Sequence, residues 1–176
     1  LVSPSGPTMK LWSDASDFLG MKSDKLTFVS LNHVAEYRSG TKYRDVQQIH
    51  YGVATNPEGG LSLYRWVTED WDNENFTSYA SPTWYTTMDG QSPSAFNCAV
   101  IADNIRNFEV FITPVGEVDP VSDYDTATHG LPATIDIYLE VLAEDDAVRA
   151  SMMPNNDAFL NAATRRYATR IYVQNR

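Results

Sequence analysis

The sequence predicts an α+β domain dominated by antiparallel strands, and three observations carry that expectation. LPATIDIYLEVL alternates Ile135, Ile137, Leu139 and Val141 with Thr134, Asp136, Tyr138 and Glu140, the two-residue period of a strand with one buried face. DVQQIHYGVATNPEGGLSLYRW holds two further runs joined by Asn56-Pro57-Glu58-Gly59-Gly60, where proline fixes one backbone angle and the glycines tolerate positive φ. Helical signals are confined to two short stretches, AEDDAVRASMM and NNDAFLNAATRR, the second with Asn155 or Asn156 placed as an N-cap.

Taken in order, residues 1 to 25 are rich in Ser, Pro, Gly, Asp and Lys without a sustained apolar period, which predicts an irregular entry segment. LTFVSL, Leu26 to Leu31, is the first sheet-like run, and AEYRSGTKYRD follows as a polar connection with a glycine turn. In the hairpin, Ile49, Tyr51 and Val53 share one face while Gln48, His50 and Gly52 share the other, so a half-buried strand is expected, returning through Leu61, Leu63 and Val67. Residues 69 to 94 mix acidic and polar residues with Trp71, Phe76, Tyr79, Trp84 and Tyr85, which predicts an ordered long loop or insertion. CAVIADNIRNFEVFITP resumes sheet patterning up to Pro114, VGEVDPVSDYDTATHG reads as acidic turns, and YATRIYV is the last strand through Tyr167, Thr169, Ile171 and Val173.

At 176 residues the chain is predicted to form a single domain, 1 to 176, and its 43% hydrophobic and 12% aromatic content excludes a disordered chain. No repeat of twenty or more residues is present, which disfavours a solenoid or propeller. A formal net charge of -10 repels phosphate backbones and anionic membrane surfaces, so nucleic acid is not an expected partner. The basic C-terminal set Arg165, Arg166, Arg170 and Arg176 is interrupted by Thr, Tyr and Ile, which reads as the charged face of a strand rather than an anion site. The one cysteine, Cys98, excludes an internal disulfide framework, and its apolar setting in FNCAVIA reads as an inert buried thiol.

The residues that carry chemistry form no recognisable catalytic motif: nucleophile elbow, zinc helix, dinucleotide turn and phosphate loop are all missing. His33, His50 and His129 are far apart in sequence and read as ordinary polar or hydrogen-bonded groups. EDWDNEN spaces Asp70, Asp72 and Glu74 like the first ligands of a Ca²⁺ loop, yet Asn75 falls where the turn needs glycine and Ser81 where it needs a bidentate Glu. Asp119, Asp123 and Asp125 form a weaker acidic cluster, and both are expected to be plain acidic loops. Asn75-Phe76-Thr77 matches a glycosylation sequon, a signal with meaning only in a eukaryotic secretory context. Trp66, Trp71, Trp84 and Tyr85 read first as core or loop-anchoring residues, and they also offer the material for stacking on sugar rings, the basis of an alternative reading as a secreted carbohydrate-binding module. A hydrolase with two carboxylates is a third class, since such residues need meet only in space.

The order of the motifs resembles a family. Asp45, Val46, Gln47, Ile49 and Tyr51 open a hairpin that returns through Leu61, Tyr64 and Arg65. Asp103, Ile105, Phe108 and Val110 follow, and Leu131-Pro132 introduces an alternating strand. Over about residues 24 to 174 this is similar to the globular region of J-type minor pseudopilins, in particular pseudopilin-like cassette protein C. The resemblance implies a pilin-like antiparallel sheet that packs on an N-terminal stem helix missing from this chain. It also implies a non-enzymatic subunit of a type II secretion or type IV pilus-like filament, inner-membrane-anchored before assembly, with this domain in the periplasm. The implied partners are other pseudopilins and secreted cargo, and no catalytic, cofactor-binding or metal-ligating residue is implied. No stretch approaches the roughly 18 apolar residues of a membrane span, and the start at Leu1, in LVSPSGPTMK, reads as a trimmed chain from which an anchor has been removed. The insertion at 69 to 94 and the stretch from Leu142 to Thr164 lie outside the family pattern.

Overall fold

The computed structural model describes residues 11–14, 17–18, 21–31, 37–38, 41–42, 46–68, 98–153 and 156–173. In chain order the elements are β1 (Leu11–Asp14), β2 (Asp17–Phe18), β3 (Met21–Lys22), β4 (Lys25–Leu31), β5 (Tyr37–Arg38), β6 (Thr41–Lys42), β7 (Val46–Thr55), β8 (Leu61–Thr68), β9 (Cys98–Asp103), β10 (Ile105–Pro114), β11 (Tyr124–Asp125), α1 (Thr126–His129), β12 (Pro132–Leu142), α2 (Glu144–Met152), α3 (Asp157–Ala163) and β13 (Thr164–Tyr172). Antiparallel strands thus dominate and the helices are short, an α+β arrangement in the coarse sense.

Two sheets hold the described core. The larger runs β11-β1-β4-β7-β8-β9 and the smaller β10-β12-β13, with every ladder between named strands antiparallel. Ile105, Phe108, Val110 and Ile112, all from β10, pack with Leu11, Leu26, Leu61 and Leu63 of the larger sheet, and Tyr124 and Ile135 complete the cluster. Val110 and Ile112 are 0% exposed, because the alternation of β10 turns both into the space between the sheets. Each such side chain contributes about 1.5–3 kcal/mol through apolar area removed from water.

The hairpin forms as its sequence predicts, with the Asn56 side chain organising the turn. Its Oδ1 accepts from Glu58 N at 3.1 Å and Gly60 N at 2.8 Å, while Gly59 takes φ 84°, the left-handed conformation that favours glycine. The strand at 46 to 55 is, however, covered on both faces: His50 and Gly52 are buried, as is Ile49 on the other side. The second face holds Thr27, His50, Ser62, Tyr64 and Trp66, all buried, so the alternation of polar and apolar residues does not mark a solvent face here.

Three further differences from the sequence expectation have identifiable causes. Within the entry segment expected to be irregular, β1 pairs with β4 and β11, and Leu11 is in the core; four residues are too few to display a period. The run from Cys98 to Pro114 is two strands in two sheets, divided at Asn104, whose φ of 56° turns the chain from β9 into β10. In the acidic stretch after Pro114, Tyr124 is 1% exposed and donates its hydroxyl to Gly130 O at 2.6 Å, a core position inside a stretch expected to form acidic turns.

The helices α2 and α3 form where the sequence places them, and Asn156 Oδ1 accepts from Phe159 N at 3.0 Å as the N-cap. Neither buries a residue, so they connect β12 to β13 without sealing the sheet. No helix among the described residues is long and apolar enough to cross a membrane. The insertion at 69 to 94 lies outside the described residues, and a stem helix is not among the described elements.

Candidate interaction surface

Of the described histidines and tryptophans singled out by sequence, His50 is buried at 3% exposure. Its Nδ1 lies 2.6 Å from Thr27 Oγ1, and its ring meets Trp66 edge-on at 5.4 Å. Gly52 permits this packing, since a Cβ there would lie 3.1 Å from His50 Nε2. Thr27 is fully buried, which closes the hydroxyl–imidazole pair to solvent and makes it a fastening between β4 and β7. Trp66 is 4% exposed, so it is no stacking platform for a sugar, and its indole Nε1 finds no acceptor among the described residues. Cys98 is half-buried beside the Tyr64 and Trp66 pair, and burial pushes its thiol pKa up, away from thiolate reactivity.

His129 stacks on Tyr124 at 5.3 Å and its Nδ1 accepts from Asp125 N at 3.3 Å. Burial, with Asp125 beside it, pushes the Tyr124 pKa up to about 12. Asp119, Asp123 and Asp125 do not form a metal-ligating group, and none is present among the described residues. His33, Asp70, Asp72, Glu74, Asn75, Trp71, Trp84, Tyr85 and Arg176 lie outside the described residues.

The smaller sheet presents a different kind of surface. Its outward face aligns Phe111, Asp136 and Arg170 in one row, Glu109, Tyr138 and Ala168 in the next, and Asn107, Glu140 and Arg166 in the third. Phe111 and Tyr138 meet edge-to-face at 5.8 Å. Arg170 grips Asp136 with two parallel bonds, Nε to Oδ1 at 2.6 Å and Nη2 to Oδ2 at 2.7 Å, and Arg166 Nε reaches Glu140 Oε1 at 2.8 Å. The hydrogen bonds from Arg170 hold the Asp136 carboxyl below its ordinary pKa despite burial, and the same pair raises the Arg170 pKa. Of the arginines expected to share one charged strand face, Arg166 and Arg170 lie on the outward face of β13 and are ion-paired, whereas Arg165 falls on the inward face with Tyr167 and Ile171.

The inward face of β13 is what sequence reasoning missed. There Tyr167 is 54% exposed and Ile171 46%, because the larger sheet covers β10 and leaves the far strand open. Apart from Thr164, every residue of β13 is exposed, on both faces. The missed signal is compositional: YATRIYV alternates Tyr, Thr and Ile with Ala, Arg and Tyr, so neither side is apolar enough to demand full burial.

No family model, curated protein or solved structure matches this chain.

Proposed function

We propose that the chain is a non-enzymatic assembly module, the globular region of a minor pseudopilin-like subunit of a type II secretion or type IV pilus-like filament. The observation that supports this most is the open terminal strand: β13 carries exposed apolar and aromatic side chains on a rigid, regularly paired sheet. A surface of that kind suits subunit packing, because its backbone is fixed before a partner arrives and little ordering entropy is lost on contact. The Thr27–His50 pair fastens two strands and Cys98 packs beside Tyr64 and Trp66, which fits a structural role for these side chains. In this reading the partners are other pseudopilin subunits and secreted cargo, and the domain lies in the periplasm behind an inner-membrane anchor.

The coding sequence upstream of Leu1 tests the reading. It is expected to encode an apolar anchor of about 20 residues preceded by a prepilin-type cleavage site. An upstream sequence encoding a start codon and no anchor contradicts it.

A further inference from the structure

The free edges of the two sheets differ in a way that singles out one of them. At one end of the larger sheet, β11 is two residues long. At the other end, β9 is broken by a bulge at Ile101, since Leu63 pairs Ala102 while Tyr64 pairs Val100. Short strands and bulges are the ordinary devices that stop a sheet edge from recruiting another strand. The outer edge of β10 is already occupied: Asp24 N donates to Phe108 O, Asp24 Oδ2 accepts from Val110 N at 2.7 Å, and Ile112 exchanges both backbone bonds with Val121. The edge of β13 has none of these protections among the described residues. All nine residues pair with β12 without a register shift, and no described strand lies beyond them.

The bond from Val173 N to Ala133 O at 2.9 Å fixes the phase of that ladder. Arg165, Tyr167, Thr169 and Ile171 direct their backbone groups at β12, so Arg166, Ala168, Arg170 and Tyr172 direct theirs at the open side. The strand has three arginines and no acidic residue within a chain of net charge -10. Their fork-shaped groups retain donors beyond those spent on Glu140 and Asp136, and Arg165 has no ion-pair partner among the described residues. Self-pairing about Ala168 would set Arg166 of one copy opposite Arg170 of the next, which like-charge repulsion disfavours.

We propose that β13 is a strand-addition site for an extended segment of a partner protein that carries carboxylates on the outward face, opposite Arg166 and Arg170, and apolar side chains on the inward face, beside Tyr167 and Ile171. Backbone bonds from Arg166, Ala168, Arg170 and Tyr172 supply adhesion, and the alternating side chains set register. The pattern required is the one β12 already presents to the other side of β13, with Asp136 and Glu140 outward and Ile135, Ile137, Leu139 and Val141 inward. This deepens the assembly reading and rests on it for the setting in which the partner is met.

The test is calorimetric titration of the 176-residue chain with a synthetic peptide of sequence ATIDIYLEVL, the residues of β12 from Ala133 to Leu142. The peptide is expected to bind, and a version with both acids changed to lysine is expected to bind at least about tenfold more weakly. Ala168→Pro removes an open-side N–H while leaving the β12 ladder intact, and is expected to abolish binding with unchanged circular dichroism. A peptide N-methylated on alternate amides gives the same block from the ligand side, whatever the folding of the variant. No binding to the folded chain, equal binding of both peptides, or binding indifferent to Ala168→Pro and to N-methylation overturns the proposal. Sedimentation that shows a dimer lost in Ala168→Pro also overturns it, because a second copy is then the occupant. Failure of the pseudopilin reading would appear in the upstream sequence and leave this titration unaffected.

Discussion

Ile112 and Ile171 have the same side chain and opposite circumstances. Ile112 is sealed between the sheets, so Ile112→Ala is expected to cost about 2–5 kcal/mol in a denaturant titration, with cavity formation added to lost transfer energy. Ile171 is open on the inward face of β13, so Ile171→Ala is expected to stay within about 0.5 kcal/mol. Asp136 carries the electrostatic prediction. Its folded pKa is depressed by Arg170, so the pair's contribution is present above the unfolded carboxylate value of about 3.9 and lost as pH falls through the folded value. Asp136→Asn is accordingly expected to lower Tm at neutral pH, with the gap to the parent chain closing on acidification. A gap that persists below the folded pKa would mean that the side chain acts through packing instead.

The elements show why some of this architecture was legible in the sequence and some was not. Strand β12 is written in its own alternation, the hairpin in its Asn-Pro-Glu-Gly-Gly turn, and α3 in its capping Asn156, all local signals that packing does not override. The division at Asn104 was missed because apolar spacing continues across it, and only the left-handed tolerance of Asn marks the change of sheet. Asn104→Gly is therefore expected to be neutral or slightly stabilising, whereas Asn104→Val is expected to cost about 1–2 kcal/mol by chemical denaturation. The burial of His50 and Gly52 was equally illegible, since it depends on what lies over the second face of the larger sheet rather than on strand period. Along β13 the backbone phase itself makes a paired prediction. Ala168→Pro spares the ladder, while Thr169→Pro removes a bond to β12 and is expected to destabilise by about 1–3 kcal/mol.

At the scale of the molecule, two sheets share one core through β10, and the far side of the smaller sheet extends past it as an open platform. The alternation that builds β12 was readable in sequence, but the openness of β13 was not. Exposure of a strand is a property of what fails to cover it, and Tyr167 and Ile171 have the composition of residues that are usually covered. Among the described residues β13 is a nine-residue edge strand that pairs without a register shift, and it carries Arg165, Arg166 and Arg170. Backbone amide hydrogen exchange resolved along β13 tests this most directly. The expected result is alternation, with slow exchange at Tyr167, Thr169 and Ile171, fast exchange at Arg166, Ala168, Arg170 and Tyr172, and protection of the fast set when the acidic β12 peptide is added. Uniformly slow exchange along the strand in the free chain would contradict an open edge.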